Sequence, residues 1–252
     1  MGVDELNALG VSAPNRRSIG VVSQVGATAL GDFDLNLRSS YSEEGERDSA
    51  AKEGNFLYVV ADAGIGCALI NKGRLFHGVA VPSIGHSIVH LHEDTAPISC
   101  EFHGRRPCLN SVASLDAISK RWGHDASITD DGWRCKDPEK VALIANYIAQ
   151  AVSNVIYFAS PKQIVIGGRI ENNPYFLELF RANLASILGV DDGKQHDGYS
   201  ELHDLETFVR GQSEFASWQP QKGLDLHAGV RGAIQLVEQW LPTTKDGASD
   251  AS

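Results

Sequence analysis

A long apolar helix pattern in the second half of the chain most constrains the fold. It begins at Asp137-Pro138, and Pro161 ends it. Asp caps the free N–H groups of a first helical turn, and Pro is tolerated at the first helical position. Apolar or small residues recur with helical spacing at Val141, Ile144, Ala145, Ile148, Val152, Val155 and Ile156. This wide apolar face predicts a helix buried in the core of a folded domain.

Strands and further helices are predicted on both sides of this helix. The predicted strands are 18–24, 55–62, 64–71, a return strand 74–77 after a turn at 72–73, 163–166 and 205–210. The predicted helices are 26–37, 111–122, 174–188 and 228–241, with polar loops at 39–54 and 191–204. Strands first, then alternating helices and strands, indicate a mixed α/β domain. We expect an uncertain leader over 1–17, one domain over 18–241 and a disordered tail over 242–252.

The composition excludes several classes of protein. The 252 residues are 42% apolar and 21% charged, and 22 Lys+Arg stand against 32 Asp+Glu, for a formal charge of −10. This balance excludes a fully disordered chain, and its acidity argues against a general binder of nucleic acid or anionic membranes. No window is expected to supply the roughly 18–20 apolar residues of a membrane span, and the start does not read as a signal peptide. We therefore expect a cytoplasmic protein with no nucleic-acid or membrane partner.

Cysteine and histidine residues form the strongest local signal. Three lie in the run CEFHGRRPC and three shortly upstream, namely Cys100, His103, Cys108, His86, His90 and His92. Thiolates and imidazoles suit tetrahedral zinc, and short spacers let one turn of backbone present two or three ligands. We expect the fourth ligand to be His86, with His92 as the alternative, in a structural site over 86–108. The alternative to a zinc site is a scatter of surface histidines and two reduced cysteines.

Three glycine-rich turns form the second signal. They are 63–66 between two strands, 167–168 between a strand and a helix, and 228–233 at the start of the last predicted helix. Such turns can present backbone N–H groups to a phosphate, or admit a nucleotide close to the backbone. Equally, glycine there can serve only a positive φ, a sharp turn or close packing.

Several ordered blocks of the sequence resemble the ROK family of sugar kinases. The run GIGCALINKGRLFHGVAVPSIGHS resembles the family signature, and the matching residues are Gly64, Gly66, Ala68, Gly73, Gly78, Pro82, Gly85 and His86. The next block, CEFHGRRPCLNSVASLDAISKRWG, is similar to the zinc loop and helix of bacterial ROK fructokinases. The likeness continues in KVALIANYIAQAVSNVIYFASPKQIVIGGRI and LDLHAGVRGAIQLV, so it covers about residues 20 to 240.

The resemblance implies an actin-like, ribonuclease-H-like α/β fold and phosphoryl transfer from MgATP to a sugar hydroxyl. It implies that structural zinc is held by His86, Cys100, His103 and Cys108. It implies sugar contacts at Ser83, His86 and Asn110. The nucleotide contacts it implies are Gly64, Gly66, Gly167, Gly168 and Gly229. The Cys-x-x-His spacing resembles the fructokinase branch, so fructose is the expected sugar.

The chain departs from the family pattern at the residues that carry the chemistry. Gln24 stands where the family has its catalytic Asp, and Gly26 stands where an Asn follows. Ser83 and Asn110 each replace a Glu, and Ala63 replaces the Thr of the second phosphate loop. A neutral amide cannot act as a general base, and the loss of a positioned base costs on the order of 10²–10⁴ in rate. A shifted alignment would bring Asp32 or Asp34 nearer the site.

These departures predict weak or absent activity in this chain alone. The same follows from the expectation that the residues before 20 leave no room for the family's amino-terminal lobe. The alternatives are a working fructokinase, a non-catalytic pseudokinase module that binds a sugar, nucleotide or protein, and a truncated remnant or half of a split enzyme. Apolar surface left open by a missing lobe would favour a homodimer.

Overall fold

The computed structural model of the protein describes Gly26, Ala29 and residues 55–72, 74–76, 82–92, 96–190 and 205–211. Gly26 and Ala29 are helical, as the helix predicted over 26–37 requires. The leader, the strand over 18–24, the loops over 39–54 and 191–204, the last helix and the tail lie outside these described residues, and their predictions stay predictions.

A five-stranded mixed sheet organises the described residues. Its strands are β1 (Asn55–Ala61), β2 (Ile65–Asn71), β3 (Arg74–Leu75), β6 (Gln163–Gly167) and β7 (Val209–Gly211), and the separate hairpin pairs β4 (Ile128–Thr129) with β5 (Gly132–Trp133). The strand order is β3-β2-β1-β6-β7. The first three strands are antiparallel neighbours, whereas β1, β6 and β7 run parallel. The carboxyl ends of β1 and β6 therefore meet at one edge of the sheet.

Five helices are described beside this sheet. They are α1 (Leu109–Ala113), α2 (Leu115–Trp122), α3 (Pro138–Ala159), α4 (Phe176–Leu188) and the short α5 (Leu205–Phe208). Two predictions were wrong in detail. The helix predicted over 111–122 is two helices that meet at Ser114, and residues 205–208 of the strand predicted over 205–210 are helical. The β4–β5 hairpin was not predicted.

Helix α3 confirms the pattern that dominates the sequence. The Asp137 carboxylate accepts the N–H groups of Glu139 (3.0 Å) and Lys140 (3.4 Å). The helix ends at Ala159, and the next residue, Ser160, has a φ of 44°, in the left-handed region. By length and composition alone α3 is long and apolar enough to cross a membrane, which corrects the expectation that no window is. Since 56% of the apolar window is buried inside the protein, α3 behaves as a core helix.

The two faces of the sheet carry separate apolar clusters, because side chains alternate along a strand. Leu57, Val59 and Ile166 face the larger core, which includes α3 and α4. Phe56 and Tyr58 face a smaller cluster that includes Ala29. Helices α3 and α4 pack on one face of the sheet. The candidate site lies at the edge formed by the carboxyl ends of β1 and β6.

Candidate functional site

Two of the glycine turns lie side by side at the carboxyl ends of β1 and β6. Val60 pairs with Gly167 across these parallel strands. The turn at 62–64 therefore lies beside the turn at 167–168. In open α/β sheets, ligands bind outside the carboxyl ends of the strands. The sequence prediction placed both turns after strands, and the structure brings them together.

The backbone requires glycine in the second of these turns but not in the first. Gly168 has φ +98°, and a Cβ there would lie 2.5 Å from the carbonyl oxygen of Ala61, so the two turns touch through backbone. Gly64 does not have a left-handed φ, and a Cβ there would meet nothing closer than the Asn110 side chain at 4.0 Å. Positive φ thus explains Gly168 and does not explain Gly64. Gly66 lies within β2 opposite Val60.

An ion pair that was not predicted from the sequence joins the two turns. The Arg169 guanidinium donates to both carboxylate oxygens of Asp62, with a shortest distance of 2.6 Å from Nη2 to Oδ1. The same carboxylate accepts the backbone N–H of Ala63 (2.6 Å) and of Arg169 (3.1 Å). The sequence signal was weak: Asp62 directly follows the β1 segment, and Arg169 follows Gly168 just after the β6 segment.

The environment of this pair keeps both groups charged. Desolvation opposes ionisation of Asp62, but the hydrogen bonds from Arg169 and from the backbone of Ala63 and Arg169 outweigh it and lower the pKa of the carboxyl. The hydrogen bond to Asp62 raises the pKa of Arg169, and the charges of Asp130 and Asp116 act in the same direction.

The predicted cysteine and histidine ligands form one cluster. The ligand atoms of His86, Cys100, His103 and Cys108 all lie within 4.8 Å of one another. The Cys100 Sγ lies 3.6 Å from the Nδ1 of His86 and 3.6 Å from the Nδ1 of His103. Bonds of about 2.3 Å to sulfur and about 2.0–2.1 Å to nitrogen at tetrahedral angles separate S from N by about 3.6 Å. The donor chemistry and these two sulfur–nitrogen distances fit tetrahedral zinc.

Local backbone structure presents each of these ligands. Cys100 and Gly104 exchange two backbone hydrogen bonds of 2.7 Å, which closes the turn that carries His103. His86 ends a short 3-10 turn, and Cys108 caps the start of α1. The backbone N–H of Leu109 donates to the Ser87 carbonyl (2.9 Å), which holds the His86 segment beside the Cys108 segment.

The surroundings of the Cys100 thiol favour the form that binds metals. Burial opposes ionisation, but the backbone N–H groups of Phe102 and His103 outweigh it and lower the pKa of the thiol. A lower thiol pKa favours the thiolate, which is the form that binds metals. By contrast, burial raises the pKa of Cys67, which lies outside the cluster.

The alternative ligand His92 lies elsewhere. Its Nε2 is 3.2 Å from Oδ1 of Asn146, and its ring packs edge-on against Tyr147. His86, and not His92, therefore lies with the three other candidate ligands.

Of the residues implied as sugar contacts, His86 belongs to the cluster, and Ser83 and Asn110 lie near it in sequence. Ser83 is exposed at the start of the 3-10 turn, and its carbonyl accepts the His86 N–H (3.1 Å). The Asn110 Oδ1 accepts the Ile65 N–H at 2.7 Å, so this amide holds the first glycine turn. Gln24, Asp32, Asp34 and Gly229 lie outside the described residues.

An open groove lies just beyond the second glycine turn. It has a volume of about 520 Å³ and both acidic and basic walls. Its lining residues are Arg134, Glu171, Asn172, Asn173, Pro174, Leu177, Glu178 and Arg181.

Comparison with known proteins identifies the family. A sequence model of the ROK family matches residues 32–201, which is more than half of the chain. The chain belongs to the ROK family. This confirms the resemblance that the glycine and cysteine motifs indicated.

Named relatives match this chain at modest sequence identity. A fructokinase of Pediococcus pentosaceus is 23% identical over 94% of this chain and 80% of its own length. A fructokinase of Zymomonas mobilis is 32% identical over 72% of this chain and 53% of its own length. A Bacillus subtilis relative is 28% identical over 88% of this chain, and the chain spans only 64% of that relative's length.

Solved structures confirm the fold. A ROK glucokinase from Streptomyces griseus, in complex with glucose and AMPPNP, matches with a TM-score of 0.55 at 14% identity, covering 93% of this ROK chain and 70% of that one. A ROK hexokinase from Thermus thermophilus matches with a TM-score of 0.53 at 18% identity, covering 86% and 65%. The chain therefore has the actin-like, ribonuclease-H-like α/β fold of ROK proteins.

Proposed function

We propose that this chain is a fructokinase-like ROK protein that binds a nucleotide and a hexose, and that phosphorylates fructose weakly or not at all as this chain alone. The observation that carries the proposal is the meeting of two glycine turns at the carboxyl ends of parallel β1 and β6. Backbone close to a ligand there suits the phosphates of a nucleotide. The relatives named as fructokinases support fructose as the sugar.

The residues of the site take the following proposed roles. Gly64, Gly66, Gly167 and Gly168 admit the nucleotide, and Gly229 completes the set from outside the described residues. Ser83, His86 and Asn110 stand at the sugar side. His86, Cys100, His103 and Cys108 hold structural zinc. MgATP, when bound, supplies the phosphoryl group.

Weak activity follows from the groups that this chain lacks. Gln24 cannot accept the proton of the sugar hydroxyl, so the reaction lacks its base. Asn110 is neutral where the family has a carboxylate, and its Oδ1 already accepts the Ile65 N–H. A charge-assisted hydrogen bond to the sugar is thereby lost, and such bonds contribute about 1.5–3 kcal/mol.

A coupled assay of the zinc-loaded chain with fructose and MgATP tests this proposal. We expect little turnover from the natural chain and a rise of about 10²–10⁴ in Gln24→Asp, because the variant restores a positioned carboxylate. Gln24→Asn is the matched control, since it changes the side chain without adding a base. Rapid turnover by the natural chain, or equal rates in the Asp and Asn variants, would contradict the proposal.

A second candidate is a binding module without catalysis. It is favoured by the Asp62–Arg169 pair, because the Asp62 carboxylate accepts donors of both turns and so opposes the placement of a phosphate for transfer. In that case calorimetry detects fructose or AMPPNP binding, while Gln24→Asp stays inactive. A homodimer is a separate proposal, and light scattering of the purified chain tests it.

A further inference from the structure

The Asp62 carboxylate lies in a setting that is typical of a bound anion. One backbone N–H from each glycine turn donates to it, from Ala63 at 2.6 Å and from Arg169 at 3.1 Å. The Arg169 guanidinium also donates to it, at 2.6 Å and 3.0 Å to the same Oδ1. Convergent backbone N–H groups and a forked guanidinium are the donors with which proteins bind phosphate.

The position of the pair links it to the proposed nucleotide site. Asp62 follows β1 and Arg169 follows β6, at the edge where the two turns touch through Gly168 and the Ala61 carbonyl. A phosphate that approached both turns there would meet the same donors that Asp62 now occupies.

The pair is also accessible enough to be displaced. The side chains of Arg169 and Asp62 are 34% and 29% exposed, so water and ions reach both. Solvent screens an ion pair that is partly exposed, which lowers its net contribution to stability. A phosphate group with more negative charge than a carboxylate can therefore compete for the same donors.

We propose that Asp62 is an internal occupant of a phosphate-binding site formed by the Ala63 N–H, the Arg169 N–H and the Arg169 guanidinium. A phosphate of a nucleotide enters this site by displacing the carboxylate, and Arg169 then contacts the phosphate. The inference rests on the proposed function, because it names the groups of the glycine turns that meet the nucleotide. The ordinary alternative is an ion pair that only fastens the two turns together.

Calorimetric titration of the full chain with inorganic pyrophosphate in excess Mg²⁺ separates these alternatives. We expect Asp62→Ala to bind pyrophosphate at least about tenfold more tightly than the natural chain, because one freed charge-assisted donor changes affinity by about that factor. Asp116→Ala is the matched control, since it removes an exposed carboxylate near Arg169 that makes no hydrogen bond to the turns. We expect less than a threefold change there, and loss of the whole gain in Asp62→Ala/Arg169→Gln.

Three results would overturn the inference. They are an unchanged affinity in a folded Asp62→Ala chain, an equal gain in Asp116→Ala, and a gain that survives Arg169→Gln. If Asp62→Ala does not fold, the nearly isosteric Asp62→Asn gives the same comparison. Pyrophosphate carries no sugar and needs no catalytic base, so failure here is distinguishable from failure of the fructokinase assay.

Discussion

At the scale of single residues, two glycines of the family signature differ in how closely their neighbours pack against them. A Cβ on Gly85 would collide with the Ile65 carbonyl and lie 2.5 Å from the Asn110 Nδ2, whereas a Cβ on Gly64 would meet nothing closer than 4.0 Å. We expect Gly85→Ala to lower the free energy of unfolding by about 1–3 kcal/mol, because backbone cannot move aside cheaply. Gly64→Ala is the matched control and should change it by less than about 0.5 kcal/mol. Urea denaturation measures both, and equal losses would show that the two positions are packed alike.

The residue scale also shows what sequence reasoning could not reach. The cluster of candidate metal ligands was predictable, because Cys100, His103 and Cys108 are close in sequence and their residue types suit a metal. The Asp62–Arg169 pair was not predictable, because it spans 107 positions and exists only through the parallel pairing of β1 with β6.

At the scale of elements, Ser114 divides one predicted helix into two. Its backbone is extended, and its Oγ accepts the N–H of Ala117 in the first turn of α2. The same hydroxyl donates to the carbonyl of Asn110 in α1. We expect Ser114→Ala to cost about 1 kcal/mol of unfolding free energy through loss of this cap. The exposed Ser119, inside α2, is the matched control, and Ser119→Ala should stay within about 0.5 kcal/mol. Thermal or urea denaturation measures both variants, and a Ser114→Ala chain as stable as the control would show that the Ser114 cap does not stabilise the fold.

The elements that were predicted correctly carry strong local signals. Asp137-Pro138 begins α3 and Pro161 follows its end, so sequence alone set both limits. The break at Ser114 was missed because apolar spacing continues across it through Val112, Leu115 and Ile118. The helical turn at 205–208 was missed because a four-residue segment carries too little periodicity to separate helix from strand.

At the scale of the whole molecule, the metal cluster is coupled to the first glycine turn. His86 is adjacent to Gly85, which packs against the Ile65 carbonyl. Cys108 begins α1, whose Asn110 accepts the Ile65 N–H at 2.7 Å. Gly85 and Asn110, which neighbour two candidate ligands in sequence, thus contact Ile65 from both sides. An ion that fixed the ligands would therefore also fix the turn.

Metal removal should therefore loosen the glycine turn while it leaves the helical core intact. We expect the Ile65 amide to exchange with solvent at least about tenfold faster after chelation, because its acceptor on Asn110 loses its anchor. Amides in the middle of α3, such as Ile148, are the internal control, since α3 is buried and capped without the metal ligands. Hydrogen exchange on the zinc-loaded and chelated chain, together with the Cys100→Ser variant, measures both sites. If chelation changed the Ile65 and Ile148 amides equally, the metal would stabilise the domain as a whole. If neither amide changed, the cluster would be independent of the first glycine turn, which is the turn proposed to meet the nucleotide.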